Sequence, residues 1–574
     1  MAPPVAAAIH PGSSSGPDLP KGAAVRRNRI QRARLGRAAL ALLLVASLAG
    51  LAGCGSSSSD GREGGTLRAT FGSFPDYLDP ALSHSEEGWT AIYDTYIPLL
   101  TYKHASGKEG SEVIPGLARA LPQISADGKT YELQLRSGLK YSDGSPVKAS
   151  DFTRAMERVF LLNSSGSPFY TDIVGAAEFA KSKEGGIPGI ATDDKTGEIT
   201  IRLVRPRGTF LQELALPFAA PLPAGTPDED LTADPPPASG PYEIVSSQPG
   251  KGWSYERNPF WKKADAERLP QIPGGHVNRI EVTVLRNPAT QVADIETGRF
   301  DWMENPPPPD QYAAVKEKFE GTQFREEETE STYFFWMNVT EPPFDDVQVR
   351  RAVNYAVDPR ALERIYAGQL VGTQQILPPG MPGYERYELY PYDLEKAKGM
   401  IEEADPADRQ ITVWTDNERT QEEAGTYYAA VLEDIGFEVK LQVLNADNYF
   451  TVIGNASTPN LDTGWASWFQ DYPHPNDFFQ PLLSEESIFP TNTSNLSRIA
   501  EPKLSAKITA LAEQPLTPKV EGEYAALDEE FMHLAPWAPY GTGTIPTFVS
   551  SAIDLDEVVY NPTFNQDLTS FRFK

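Results

Sequence analysis

The 22 residues Leu139–Phe160, LKYSDGSPVKASDFTRAMERVF, hold the pattern that decides the fold. With Ser150 predicted as the N-cap, Phe152, Ala155, Met156, Val159 and Phe160 recur at i, i+3, i+4, i+7 and i+8, the spacing of one helix face. Such a face needs a partner layer. On either side Tyr131, Leu133 and Leu135, then Ile199, Ile201 and Leu203, then Ile280, Val282 and Val284 alternate with polar residues, which predicts half-buried strands. Further on, a helix is expected to start near Asp345 or Asp346 and bury Val349, Ala352, Val353 and Ala356. Asp358-Pro359 then restarts a helix with Leu362, Ile365 and Tyr366 inside. Strands and helices mixed in this way predict an α/β protein.

The full chain of 574 residues is long enough for several domain-sized units with a substantial core. No fixed-period repeat and no heptad pattern is present, which argues against solenoids and coiled coils. Among the 51 prolines, Pro235–Pro237 and Pro306–Pro309 form stiff runs suited to crossings between lobes. The chain carries 51 Lys and Arg against 79 Asp and Glu, a net charge of -28 that repels nucleic-acid phosphates and anionic lipid heads. No nucleic-acid partner is expected.

That charge is segregated. Residues 1–53 hold seven basic residues and one acid, and the remaining chain carries a formal charge of -34. Behind the basic run, Ala38–Gly53 is an uncharged stretch of 16 residues, short of the roughly 20 of a spanning helix, and reads as an export signal. It ends in Leu51-Ala52-Gly53-Cys54, the spelling of a bacterial lipobox, which predicts cleavage before Cys54 and diacylglycerol on its sulfur. Two acyl chains hold a protein stably where one gives marginal binding. Residues 54–65, rich in Gly and Ser, then form a flexible tether with a reach of roughly 18 Å. The body is expected outside the cytoplasmic membrane, on its outer face. Cys54 is the only cysteine, so disulfides within the chain and cysteine nucleophiles are excluded.

Enzyme motifs fail in context. Gly128-Lys129-Thr130 resembles the end of a phosphate-binding loop, but position 123 is Gln and the flanks are strand-like, so a hairpin turn is predicted. Gly12-Ser13-Ser14-Ser15-Gly16 spells a nucleophile elbow ahead of the export signal, with no strand before it. The histidines His10, His84, His104, His276, His474 and His533 show no metal-ligand spacing on a helix, and no metal or cofactor is expected. One aromatic constellation stands apart: Trp465, Trp468, Phe469, Asp471 and Tyr472, followed by Pro473 to Phe479. It admits two readings. A core strand can end in a turn with Asp471 capping neighbouring amides, or the rings and carboxylate can hold a cationic, partly apolar ligand.

Several strings, in order along almost the whole body, resemble the solute-binding proteins of bacterial ABC importers, the cluster that includes dipeptide- and oligopeptide-binding proteins (extracellular solute-binding protein family 5). They are Gly65-Thr66-Leu67 with Leu78-Asp79-Pro80, Val113–Ala118, Tyr141–Val147 with Ala149, Asp151, Phe152 and Arg158, Ser239–Tyr242, Gly298–Asp301, and Asn338 with Pro343–Ala352. The resemblance implies a two-lobed α/β Venus-flytrap fold of the periplasmic-binding-protein type, with an extra subdomain in the first lobe and a ligand enclosed on closure. It assigns 66–102 to lobe I, 103–238 to the extra subdomain, 239–330 to lobe I again, 331–536 to lobe II and 537–574 to the return into lobe I.

In peptide-binding relatives an aspartate after a tryptophan-containing strand accepts the ligand's amino terminus. Trp468-Phe469-Gln470-Asp471-Tyr472 is similar, which makes Asp471 the expected anchor and Trp468 its flank. Ser331, Thr332 and Tyr333 lie where relatives run a strand beside the ligand, offering main-chain hydrogen bonds by strand addition. Asn305 and Tyr540 are further candidates. The apolar run Tyr333–Met337 reads equally well as a buried strand. Two departures stand out: Trp465 occupies a position where some oligopeptide binders have arginine for the ligand carboxylate, and Trp336 replaces a polar residue. The expected partners are a peptide or other small polar solute, the permease subunits of an ABC importer, and the membrane through Cys54; a monomer is expected. A saccharide, opine or metal-chelate receptor on the same fold is the alternative, with Trp465, Trp468 and Tyr333 stacking on sugar faces. An exported enzyme or sensor module is the third reading.

Overall fold

A computed structural model describes residues 62–261, 269 and 271–574. The export signal, the lipobox with Cys54 and most of the tether lie outside the described residues. Among the described residues no helix is long and apolar enough to cross a membrane.

The alternating segments form strands as expected. Thr130–Gln134, Glu198–Arg202 and Arg279–Val284 bury Tyr131, Leu133, Ile199, Ile201, Ile280 and Val282. The helix Ala149–Leu161 buries Phe152, Met156, Val159 and Phe160 against the same core, with Ala155 buried as well. Its N-cap is Lys148 rather than Ser150. The Asp151 carboxylate accepts from the Lys148 N–H at 2.8 Å and from the Tyr141 hydroxyl at 3.0 Å, while Ser150 turns outward and donates through N and Oγ to Asp194. A carboxylate in the first turn, held from two sides, takes over the capping that serine offers. Asp346 and Asp358 cap the helices Val347–Ala356 and Pro359–Ile365 by accepting from Gln348 N and Arg360 N. Gly128-Lys129-Thr130 sits in the turn between the antiparallel strands Gln123–Ile124 and Thr130–Gln134.

Two of the quoted strings meet in a buried ion pair. Arg158 reaches both oxygens of Asp79, at 2.8 and 2.6 Å, with both side chains fully buried. Two further N–H groups go to the carbonyls of Pro227 and Glu229. A planar guanidinium forked onto a carboxylate fixes direction as well as charge, and fastens the helix to the first lobe.

One twelve-stranded sheet runs through both lobes. Its order is Glu438–Leu444, Gln410–Asp416, Thr463–Phe469, Ser331–Met337, Trp537–Val549, Trp302–Met303, Thr66–Phe71, Arg279–Val284, Gly252–Arg257, Tyr242–Gln248, with Phe324–Glu328 and Leu370–Val371 also pairing Trp537–Val549. A separate four-stranded sheet carries Thr130–Gln134 and Glu198–Arg202 and packs into the first core. The second core holds Phe334 to Tyr540, and a small third core gathers Val292, Tyr312, Phe324 and Phe548.

The strand Trp537–Val549 belongs to both lobes. Trp537, Ala538 and Tyr540 pack in the second core, Phe548 in the small one, and Val549 in the first. Its early residues pair with Ser331–Met337 and its late residues with Phe324–Glu328. The chain thus crosses between cores at Thr329–Glu330, a bend tied by Thr329 N donating to the Gly543 carbonyl at 2.9 Å, and near Thr542–Gly543 within the strand. Neither proline run makes a crossing. Pro236 accepts from the Tyr96 hydroxyl inside the first lobe, and Pro306–Pro309 leads into the helix Pro309–Phe319. Paired backbone carries its own hydrogen bonds across the gap, which proline cannot do.

Candidate functional site

A cavity of about 550 Å³ lies where the two crossings leave a gap. From the first side come Gly72, Glu86, Arg286, Gln291 and Asn305, and from the second Tyr333, Tyr366, Gln369, Gln421 and Phe469. Thr329, Gly543 and Thr544 of the crossings and Pro306–Pro309 complete it. Of two larger cavities, the one of about 930 Å³ draws its walls from Asn338–Arg498 and touches no first-lobe residue, and the one of about 970 Å³ touches the first lobe only at Glu328 beside the crossing, so neither lies between facing lobe surfaces.

Strand parity sorts the expected residues. Ser331 pairs with Phe469, Tyr333 with Ser467 and Phe335 with Trp465, so these share one face, while Thr332, Trp468 and Trp336 share the other. Tyr333 meets Tyr366 and Phe469 edge-on, with centroids 5.4 and 5.9 Å apart, and Phe469 remains 44% exposed in the gap. Tyr540 is buried behind them, its hydroxyl 3.0 Å from that of Tyr366. Trp336 is fully buried in the second core. Trp465 is buried there too, stacked on Tyr449 at 5.6 Å.

Ser331 and Thr332 serve the scaffold. Ser331 Oγ accepts from Gly543 N and lies 2.6 Å from Thr329 Oγ1, tying the two crossings together, and Thr332 donates to the Ile376 carbonyl. Strand Ser331–Met337 is paired with Thr463–Phe469 on one flank and Trp537–Val549 on the other. It has no open edge for strand addition, so the ring of Tyr333 is the part of it that faces the cavity.

Asn305 lines the cavity, and a Cβ at Gly72 would come 2.4 Å from its Oδ1, so only glycine allows that approach. Glu86 faces the cavity, accepts from Asn565 Nδ2 at 2.8 Å, and has its carboxyl raised by the surrounding protein. Glu304, buried nearby, is pushed well up by burial and then by the charges of Glu87 and Glu86. Arg286 is the cation of the lining. Glu86, Arg286, Gln291, Tyr366, Gln369 and Gln421 escaped the sequence reading because they come from separate segments and form no motif.

Asp471 is placed at the margin. It follows the cavity residue Phe469 by two positions, and its Oδ1 lies 3.4 Å from Nε2 of His84, which precedes the cavity residue Glu86 by two. Their side chains are 31% and 29% exposed. Asp471 does not cap its neighbours; the buried Asp477 does, accepting from Asp471 N at 2.8 Å and from Trp468 Nε1 at 3.3 Å. Burial, then the charge of Asp471, drives the Asp477 carboxyl well up. The residues on either side of it dock on the first lobe: Tyr472 packs in its core against Phe169, and Gln470 donates to the Pro562 carbonyl. The Asp471 loop is therefore one piece of the second lobe that docks on the first; Ala512 is another, its carbonyl accepting from Gly208 N at 2.7 Å.

Among the described residues one group has the shape of a cation site, the buried Asp94, His104 and Asp567. His104 Nδ1 lies 2.6 Å from Asp567 and 3.8 Å from Asp94. Burial and the charge of Asp567 push the Asp94 carboxyl well up, and the contact of His104 with Asp567 ties the C-terminal segment to the first lobe.

Residues 112–489 match the family described as bacterial extracellular solute-binding proteins, family 5, middle region. The dipeptide-binding protein of Escherichia coli strain K12 is 27% identical over 399 residues, covering 65% of this chain and 71% of that protein. Heme-binding protein A of Haemophilus influenzae is 25% identical over 504 residues, covering 83% and 85%. The structure titled clavulanic acid biosynthesis oligopeptide binding protein 2 superposes with a TM-score of 0.81 at 26% identity, over 89% of this chain and 96% of that one. With two lobes joined by paired strands, a cavity between them and a match over more than half its length, the chain belongs to the bacterial extracellular solute-binding proteins of family 5.

Proposed function

We propose that this protein is the lipid-anchored receptor of an ABC importer and binds short peptides between its lobes, with Asp471 receiving the ligand's amino terminus. The observation that carries this reading is the pairing of Asp471 with a base across the lobe gap, two residues from Phe469 in the cavity wall. Relatives named for dipeptides and for glutathione support the ligand class. Tyr333, Tyr366 and Phe469 supply ring area, Gln291, Asn305, Gln369 and Gln421 supply hydrogen bonds, and Arg286 is the cation available to a ligand carboxylate. Contacts made to both lobes favour the closed form alone, so ligand shifts the population toward the shape that a permease recognises. A micromolar ligand needs about -8.2 kcal/mol, within reach of one ion pair and a few packed groups.

Cys54, outside the described residues, would carry the diacylglyceryl anchor and hold the body as a monomer at the outer face of the membrane. The saccharide alternative loses support, because Trp465 is stacked inside the second core and Trp468 shares the opposite strand face from Tyr333. Isothermal titration with di- to pentapeptides and their amino-acetylated forms tests the reading. Free peptides are expected to bind at least tenfold more tightly, and Asp471→Asn to remove most of that preference. Equal binding of both forms would sink the assignment of Asp471.

A further inference from the structure

The base that meets Asp471 belongs to the protein itself. His84 stands ahead of the short helix Glu86–Ile92, and Asp76 holds its turn by accepting from His84 N at 2.7 Å and from Ser85 N at 3.0 Å. Its ring is walled by Trp89 and Phe218, both with centroids 5.4 Å away, and by Phe169 at 6.1 Å. Only the Nε2 side reaches the second lobe, where it finds Asp471. An imidazolium in this position offers Asp471 the same partner that a ligand ammonium would offer: a cationic N–H.

We propose that His84 is a specificity-determining residue of the amino-terminal subsite, a resident cation that holds Asp471 in the ligand-free protein and that an incoming ammonium must displace. This rests on the peptide reading above and deepens it. Two consequences follow from the geometry. The His84–Asp471 contact links the lobes without a ligand, so it biases the empty protein toward closure. A ligand lacking a cationic nitrogen cannot replace what it displaces, so neutral-ended ligands are rejected by more than the loss of one attraction.

Displacement also couples binding to protons. Burial works against charge on His84, but its hydrogen bond to Asp471 and the charges of Asp471 and Asp76 prevail and raise its pKa. Those two carboxylates are the charged groups acting on the ring among the described residues, and the elements bearing Trp89, Phe169 and Phe218 present it with aromatic faces. Once Asp471 turns to the ligand, the imidazolium loses its partner and releases its proton. Binding therefore strengthens as pH rises through the imidazole's range, while the peptide amino group, with a pKa of about 8, stays charged.

The test is titration of one free dipeptide between pH 5.5 and 7.0, in two buffers of different ionisation enthalpy, for the wild type, His84→Gln and Asp471→Asn. The wild type is expected to gain about fivefold or more in affinity across that range and to release protons on binding. His84→Gln should bind more tightly at pH 5.5 and show a flat profile with no proton release, its fold checked by an unchanged melting temperature. Should that variant unfold, the wild-type imidazole resonance decides: its pKa must fall when peptide binds and fall likewise in Asp471→Asn. A wild type with no proton release, or His84→Gln with the wild-type slope, overturns the proposal while leaving a preference for free over acetylated peptides intact. Loss of that preference strikes the peptide reading itself, and this proposal with it.

Discussion

Two acid–base pairs in this molecule teach opposite lessons. Asp79 and Arg158 are fully buried, joined by two short bonds, with further guanidinium N–H groups satisfied by the carbonyls of Pro227 and Glu229. His84 and Asp471 are about a third exposed and meet at one distance of 3.4 Å across the gap between lobes. The first pair has nothing left to offer a ligand, and its loss strands a buried charge. The second is loosely made, reachable by water, and exchangeable for another cation. Architecture and recognition use the same chemistry here and differ in how completely each group is satisfied.

The largest expected effect would break the first pair. Arg158→Met leaves Asp79 buried without its partner and is expected to cost about 3–5 kcal/mol of folding stability, read as a lowered urea midpoint. The same measurement on His84→Gln should move stability by less than about 1 kcal/mol, the ordinary range for a partly exposed pair. Comparable losses in both would erase the distinction between them.

A second, smaller effect sharpens the comparison at the crossing. Burial, with the charge of Glu328 added, pushes the Glu330 carboxyl up to about 7. Its folded pKa thus exceeds the unfolded value near 4.3, so the folded state binds the extra proton. Its effect on stability is absent below about pH 4 and grows as a penalty while pH rises toward 7, reaching about 1–3 kcal/mol. Urea unfolding of Glu330→Gln at pH 4.5 and 7.5 should show that part of the pH dependence removed, with the variant the more stable protein at the higher pH. An unchanged slope would mean that Glu330 is paired after all.

The smallest effect concerns the helix Ala149–Leu161. Asp151→Ala should cost about 1 kcal/mol, since the carboxylate accepts from Lys148 N and Tyr141. Ser150→Ala, at the position expected to cap, should cost less than about 0.5 kcal/mol. Thermal melts of both variants would reverse that order only if Ser150 were the cap.

Much of the fold was legible. The alternation in Thr130–Gln134 and Glu198–Arg202, the apolar face of Ala149–Leu161 and the caps at Asp346 and Asp358 all act over a few residues and appear as expected. At the site, Tyr333, Phe469 and Asn305 do line the cavity. Trp336 and Thr332 do not, because strand alternation puts them on the opposite face from Tyr333. Ser331 and Trp465 share the Tyr333 face, but Ser331 accepts from Gly543 N at the crossing and Trp465 is covered by Tyr449 in the second core, while strands on both flanks close the edges of Tyr333–Met337. No spacing rule reveals how many neighbours a strand has.

What the amino-acid order settled by itself was local: where the chain turns, which face of each element is apolar, and which strings mark the family. Only tertiary structure decided which acid meets which base. Periodicity is enforced by contacts within a turn of helix or a pair of strand residues, so it is written in short stretches. Asp79 and Arg158 stand 79 positions apart, and His84 and Asp471 lie in different lobes; their encounters depend on how whole layers pack, to which no short stretch holds the key.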